Sequence, residues 1–216
     1  MAYVFYILIF VLATACNAQT VLKSEEIIKN LSNGKSMQIK GAIISDDLDF
    51  GKVETMRVNG NLYFEKCVFK GYVKAEGVRF NGNVVFFANE FQKDVDLQNV
   101  SIFGNVNFSK SIFKGKAIFA NSAIWAKNSY FSEVKASGKF SLEGSDFHGD
   151  LSLMDSEFSD AFSLQETFVL GNLQGSNTKF NSNTDFSMLN VLRRTIFKYA
   201  TFKNEPDFSN SKIARE

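Results

Sequence analysis

Phenylalanine recurs along this chain at alternating intervals of six and five residues, and this spacing constrains the fold more than any other feature. From Val58, steps of 6, 5, 6 and 5 residues pass through apolar positions as far as Phe119, and they resume from Trp125 to Ile213 if one extra residue lies within 120–124. Equivalent positions therefore return every 22 residues. A fixed period in the twenties predicts a solenoid whose units pack only against their neighbours. The phenylalanines predicted to stack in its core are Phe64, Phe69, Phe86, Phe91, Phe108, Phe113, Phe119, Phe131, Phe158, Phe180, Phe186, Phe197, Phe202 and Phe208.

A second inward position lies two residues before each step, and it usually holds a small or β-branched residue. Because alternate side chains of a strand share a face, this pair of positions predicts a short strand at every step. Four steps per repeat then give coils with four short sides and four corners. A helical solenoid or a leucine-rich repeat would need a different apolar spacing, and neither spacing is present. The sequence therefore predicts an all-β fold, a parallel β-helix.

Asparagine or aspartate recurs at one corner of each coil, and five of the six follow a glycine. Glycine and asparagine tolerate positive φ at low cost, so we expect them to turn the chain at a tight corner. A row of side-chain amides could instead bind a ligand. One interval in this ladder is 23 residues where the others are 22, which agrees with a single insertion in that coil. The members are Asn61, Asn83, Asn105, Asn128, Asp150 and Asn172.

Many repeats contain a small residue, a second residue and then phenylalanine. Examples are Cys67-Val68-Phe69, Ser111-Ile112-Phe113, Ala117-Ile118-Phe119, Ser145-Asp146-Phe147, Ser156-Glu157-Phe158 and Thr184-Asp185-Phe186. By these motifs residues 37–213 resemble the pentapeptide-repeat family. The resemblance implies a right-handed quadrilateral β-helix with phenylalanine or leucine stacked along its axis. The 22-residue period is longer than four strict pentapeptides, which indicates corners less regular than those of the family.

The first 18 residues have the form of an export signal. Residues 2–15 are an uninterrupted apolar run that is short for a membrane span, and small residues permit cleavage after Ala18. No lysine or arginine lies near Met1, which departs from the usual signal. Cys16 could instead be lipidated, which would anchor the protein to a membrane. We therefore expect 1–18 to be a signal peptide and the protein to be periplasmic or secreted, with a membrane-anchored lipoprotein as the alternative.

Residues 19–36 differ in composition from the repeats and predict a short capping helix. Ser24 can cap its first turn and Gly34 can end it. Such a helix would cover the open end of the solenoid over a first coil built on Met37, Ile43, Leu48 and Val53. Residues 37–216 then form the β-helix. A glycine replaces the expected large residue at position 175, so we expect a local dent there.

Candidate chemical groups are few. His148 is the single histidine, and a corner histidine without a recurring carboxylate partner is typical of a solvated position. Cys67 occupies the small inward position and is expected to be buried. We find no catalytic, metal or cofactor motif, so we expect neither an enzyme nor a bound cofactor. Tyr72, Tyr130 and Tyr199 lie off the inward positions and are expected on the exterior.

Charge limits the candidate partners. The chain has 24 basic and 23 acidic residues, so it lacks the acidic excess of pentapeptide-repeat proteins that mimic DNA and the basic excess of nucleic-acid binders. The sequence favours an exported, non-catalytic scaffold for an unknown protein or envelope component, with no nucleic acid and with membrane contact only through the N-terminal segment. The alternative is a β-helical glycan-binding protein or polysaccharide lyase. A DNA-mimic topoisomerase inhibitor is a weaker third hypothesis.

Overall fold

The computed structural model describes residues 19–214, which form a parallel β-solenoid of about nine turns. The predicted all-β parallel β-helix is confirmed. Each coil contributes one short strand to each of four faces, which we number 1 to 4 in chain order. The predicted signal peptide and Cys16 lie outside the described residues.

Within each face, strands of successive coils pair in parallel. Face 1 contains Met37–Lys40, Leu62–Glu65, Val84–Phe87, Val106–Asn107, Asn128–Tyr130, Asp150–Ser152, Leu173–Gln174 and the end of Asn190–Ile196. Face 2 contains Val21–Leu22, Ile43–Ile44, Val68–Phe69, Glu90–Phe91, Ile112–Phe113, Lys135–Ala136, Glu157–Phe158, Lys179–Phe180 and Thr201–Phe202. Face 3 contains Leu48–Asp49, Val73–Lys74, Val95–Asp96, Ala117–Ile118, Phe140–Ser141, Phe162–Ser163 and Thr184–Asp185. Face 4 contains Arg57–Val58, Arg79–Phe80, Ser101–Ile102, Ala123–Ile124, Asp146–Phe147, Phe168–Val169, the start of Asn190–Ile196 and Lys212–Ala214.

Phenylalanine rings stack coil upon coil inside the solenoid. On face 2 the ring centroids of Phe69, Phe91 and Phe113 are 4.9 and 4.7 Å apart, with nearly parallel planes. These three residues are at most 1% exposed. The predicted core phenylalanines of the last coil, Phe197 and Phe202 among them, are only partly buried because no further coil covers them within the described residues.

Two kinds of corner explain the period of 22 residues. Corners from face 1 to 2 and from face 3 to 4 usually span five residues between inward positions, and each contains a residue with positive φ. The other two corners span six, and glycine brings them against the preceding coil. A Cβ on Gly82 would lie 2.7 Å from the carbonyl oxygen of Gly60. The prediction that the asparagine corner needs positive φ is therefore wrong. Its glycines avoid a clash, while positive φ occurs at Lys66, Gly77, Ala88, Asn99, Lys110, Asn121, Glu133, Gly144, Asp155, Glu166, Asn177, Met188, Tyr199 and Asn210.

The asparagine ladder joins neighbouring coils. The backbone N–H of Asn83 donates to Oδ1 of Asn61 at 2.8 Å, and that of Asn105 donates to Oδ1 of Asn83 at 2.8 Å. Asp150 accepts the N–H of Asn172 in the same way, at 2.7 Å. These side chains satisfy backbone donors that the corner leaves outside the strand ladder, which supports the structural interpretation of the row.

Small polar residues satisfy the backbone inside the five-residue corners. Ser111 Oγ donates to the carbonyl of Phe86 at 2.7 Å and accepts the N–H of Asn89 at 3.1 Å. Ser156 Oγ makes the same contact with the carbonyl of Phe131, at 2.8 Å. Buried backbone groups need such partners, which explains why serine, threonine or asparagine occupies this position in many of the corners.

The N-terminal end is covered by the helix Ser24–Ser32, which follows the strand Val21–Leu22. Ile27 and Leu31 are buried against the first coil. Ser24 is not the capping residue that we predicted, because Lys23 takes that position. Instead, the N–H of Ser24 donates to Oδ1 of Asp46 at 3.0 Å.

The first coil also departs from the predicted register. Its inward residue on face 2 is Ile44, which is fully buried, and not Ile43. This coil is three residues longer than most, since Met37 pairs with Leu62. The additional residues form the short 3-10 helices Phe50–Lys52 and Glu54–Met56 at the corner from face 3 to 4.

The inserted residue lies later than the sequence indicated. Ile124, which is 5% exposed, takes the inward position on face 4, whereas Trp125 is 49% exposed. Ile102 pairs with Ile124 at an interval of 22, but Val106 pairs with Ser129 at 23. The insertion therefore falls between Ile124 and Ser129. Both isoleucine and tryptophan are apolar, so hydrophobicity alone did not separate the two registers.

Two small residues, Ala136 and Gly175, interrupt the inner stacks, and neighbouring rings fill the space. Phe140 lies in the stack beside Ala136, with ring centroids 5.6 Å from Phe113 and 5.0 Å from Phe158. At Gly175 the Phe197 ring occupies the place where a Cβ would project. The predicted dent at Gly175 is therefore wrong, because the larger ring of the next coil replaces the missing side chain.

Candidate functional site

A ladder of exterior side chains runs along face 4 and contains a stack of aromatic rings. Its residues directly follow the inward residues of face 4, so the same pairing that aligns the core also aligns them outside. At about 4.8 Å per coil, the seven positions extend over roughly 29 Å. This outer ladder comprises Asn59, Asn81, Phe103, Trp125, His148, Leu170 and Leu192.

The centre of this ladder is a continuous stack. The ring centroids of Phe103 and Trp125 are 5.9 Å apart with planes 5° from parallel, and Trp125 and His148 are 3.7 Å apart at 20°. The guanidinium carbon of Arg79 lies 4.2 Å from the Phe103 centroid. We call Arg79, Phe103, Trp125 and His148 the aromatic strip. Phe103 is 40% and Trp125 49% exposed, so the stack reaches solvent.

The neighbours of each ring determine what the strip can offer to a ligand. Phe103 and His148 lie on opposite sides of Trp125 along the solenoid axis, and Arg79 lies over Phe103. Arg79 is held there because its Nε donates to Oδ1 of Asn81 at 2.9 Å. Both faces of Phe103 and of Trp125 are therefore covered within the strip.

Basic residues surround the aromatic strip. Face 4 and the corner that follows it hold exposed basic side chains near both ends of the outer ladder and, at Lys127, near its centre. They also hold two carboxylates, Asp146 and Asp150, of which Asp150 accepts hydrogen bonds from Asn172. The basic residues are Arg57, Arg79, Lys127, Arg193, Arg194 and Lys212.

Face 3 has the opposite charge. Its outward residues include six carboxylates and one lysine. Several of the carboxylates bond the backbone two residues ahead, as when Asp185 accepts the N–H of Ser187 at 2.9 Å. They spread over roughly 34 Å, a length on which B-DNA carries about 20 phosphates, so the charge is too sparse for a close DNA mimic. The carboxylates are Asp49, Glu76, Asp96, Glu143, Asp185 and Asp207, and the lysine is Lys74.

The structure places the other candidate residues apart from one another. Cys67 is 1% exposed with Sγ near the carbonyl of Ile39, and burial raises the pKa of its thiol, which makes it a poor nucleophile. Tyr72, Tyr130 and Tyr199 are exposed, on three different coils. His148 lies at a corner as expected, but its contact with Trp125 was missed. Recognition of Ile124 as the inward residue would have revealed it.

A shallow groove of about 380 Å³ lies at the edge of face 2. It is lined by Lys110, Ile112, Glu133, Lys135 and Asp155, and Lys110 pairs with Glu133 at 3.5 Å. Because its charges are mixed and partly paired with each other, the groove does not select for a ligand of one sign.

Residues 19–214 contain neither a membrane-spanning helix nor a metal-binding cluster. None of the described helices is both long enough and apolar enough to cross a bilayer. The described residues also hold no group of three or more histidine, cysteine, aspartate or glutamate side chains placed to bind a metal ion.

No protein-family model, curated protein or solved structure matches the chain.

Proposed function

We propose that this protein is an exported, non-catalytic, pentapeptide-repeat-like scaffold that binds another component of the cell envelope through its outer surface. The observation that carries the proposal is the contrast between its interior and face 4. Buried polar groups such as those of Ser111 and Ser156 are bonded to backbone, whereas the side chains of the aromatic strip lie outside the buried core and reach solvent.

Four-sided coils support the family resemblance. Small residues such as Ser111 and Ser156 precede the inward phenylalanines by two positions, as the motif requires. The two six-residue corners account for the longer coil without changing the inward positions. This part of the proposal depends on the motif and on the coil geometry together.

Export is tested by the mass of the mature protein from fractionated cells. We expect a periplasmic or secreted chain that begins after Ala18. A diacylated Cys16 would place the same scaffold on a membrane as a lipoprotein. An intact Met1 in the soluble cytoplasm would contradict export.

Glycan binding is the second candidate, and the exposed tyrosines favour it. Tyr199 is 73% exposed, with Lys198 Nζ 4.9 Å from its ring centroid, and an aromatic side chain of this kind can pack on a sugar ring. A glycan array with the parent protein and Tyr199→Ser would test it. Binding that is lost in Tyr199→Ser but kept in Phe103→Ser would favour this function over a site at the aromatic strip.

A further inference from the structure

We propose that face 4 docks on an anionic lipid bilayer, with Phe103, Trp125 and His148 in the headgroup region and the flanking basic residues on lipid phosphates. This inference rests on the proposed export, since it gives the envelope scaffold a partner of defined chemistry. It differs from the expectation that only the N-terminal segment meets a membrane.

The shape of the outer ladder fits a planar partner. Its residues stand in one line along the solenoid, and Leu192 (54% exposed) continues the apolar surface beyond the aromatic strip. In the coils of Phe103 and Trp125, the outward strand residues of face 4 are the small Ser101 and Ala123. The surface is therefore a long ridge without an enclosed pocket, which suits a bilayer better than a small ligand.

The orientation of the rings distinguishes a bilayer partner from ligands that stack on an aromatic face, such as sugars and nucleobases. A sugar ring or a nucleobase binds to an open aromatic face, but Phe103 and His148 lie over the Trp125 ring. Edges of tryptophan and phenylalanine can enter a headgroup region, where such amphipathic rings are enriched. The stacked strip therefore favours a membrane interface over a stacking ligand.

Charge favours an anionic partner. Four of the basic residues lie near the ends of the outer ladder, with Arg57 and Arg79 towards one end and Arg193 and Lys212 towards the other. A second copy packed on face 4 by a two-fold axis would bring arginines together, which opposes self-association. An anionic bilayer attracts these residues and repels the carboxylates of face 3, so charge also sets the orientation.

Trp125 is the single tryptophan of the chain and reports directly on docking. The full chain is mixed with phosphatidylcholine vesicles that contain or lack phosphatidylglycerol, and its emission and quenching by acyl-brominated lipid are measured. We expect a blue shift, quenching and sedimentation with phosphatidylglycerol vesicles, reversed by high salt. Equal binding to pure phosphatidylcholine would overturn the proposal.

Matched variants separate face 4 from the rest of the chain. Arg79→Gln with Phe103→Ser retains Trp125 and is expected to weaken vesicle binding at least tenfold. Tyr72→Ser removes another exposed ring, beside Lys74 and away from face 4, and should leave binding unchanged. Circular dichroism checks that both variants are folded.

Two further outcomes of these experiments would overturn docking by face 4. Vesicle binding without Trp125 quenching, equal in parent and double variant, would show attachment through residues 2–15 and overturn docking by face 4 while export stands. A Trp125 shift with polyglutamate but not with vesicles would assign face 4 to an acidic polypeptide, which also overturns the proposal. Cytoplasmic localisation contradicts the proposed function independently of either result.

Discussion

An aromatic stack inside this solenoid and another on its exterior share the same coil-to-coil register. The inner stack of Phe69, Phe91 and Phe113 is almost fully buried, whereas Phe103 and Trp125 of the outer stack are 40% and 49% exposed. Burial of apolar area is what stabilises a solenoid, so the inner stack determines the fold. The outer stack leaves much of its apolar area in water, which is the property of an interaction surface.

The largest difference in folding between interior and exterior substitutions is expected for a charge placed inside the solenoid. Phe113→Asp places an unpaired carboxylate among the inner rings and is expected to prevent folding. Ile112→Asp is the matched control, since Ile112 is the preceding residue, points outward and is 39% exposed. Circular dichroism and size-exclusion chromatography would show the loss for Phe113→Asp alone. A folded Phe113→Asp protein would contradict the inward assignment of this stack.

The sequence predicted the inner stack far better than the outer one. A spacing of 22 residues requires one inward register over many coils, so errors arose where two apolar residues are adjacent, as at Ile124 and Trp125 or Ile43 and Ile44. The outer stack depends on that choice. Once Trp125 was assigned to the core, its contact with His148 could not be predicted.

Glycines at the corners show a second limit of prediction. Sequence identifies Gly82 as a corner residue, but it does not show whether positive φ or close approach requires it. Only the position of the preceding coil decides, and the Gly60 carbonyl lies where a Gly82 Cβ would project. Lysine, glutamate and alanine take positive φ at the other corners, where no composition signal marked them.

Truncation of one ring in each stack sharpens the comparison. Phe91→Ala should lower the free energy of unfolding by about 3–5 kcal/mol, because it leaves a cavity between Phe69 and Phe113. Phe103→Ala should cost less than about 1 kcal/mol, since most of its contact is with Trp125 and Arg79 at the surface. Urea denaturation followed by circular dichroism measures both. Equal losses would mean that the outer stack also supports the fold.

A buried serine and an exposed serine extend the comparison to hydrogen bonds. Ser111→Ala leaves the carbonyl of Phe86 and the N–H of Asn89 without their buried partner, and we expect a loss of about 1–3 kcal/mol. Ser137→Ala, at an exposed position, should change stability by less than about 0.5 kcal/mol. Urea midpoints of the two variants give the difference. A neutral Ser111→Ala would show that the corner relaxes or admits water.

The smallest effect is expected for an ion pair on the outside of face 2. Lys114 Nζ bonds Oε1 of Glu90 at 2.7 Å, and this contact, followed by the amide of Gln92, lowers the pKa of Glu90. A lowered pKa means that the folded chain binds fewer protons than the unfolded chain as the carboxylate titrates. The pair therefore stabilises the fold above the unfolded pKa and loses this effect as the pH falls through the folded pKa.

Glu90→Gln should therefore lower the free energy of unfolding by less than about 1 kcal/mol at pH 7. At a pH low enough to protonate this carboxylate in the folded parent, the difference should disappear. Glu76→Gln, on the exterior of face 3, is the control for a change of net charge. Urea midpoints at the two pH values, with Lys114→Met to complete a double-mutant cycle, measure the coupling. A difference that persists at low pH would assign the loss to packing of the Glu90 side chain and not to its charge.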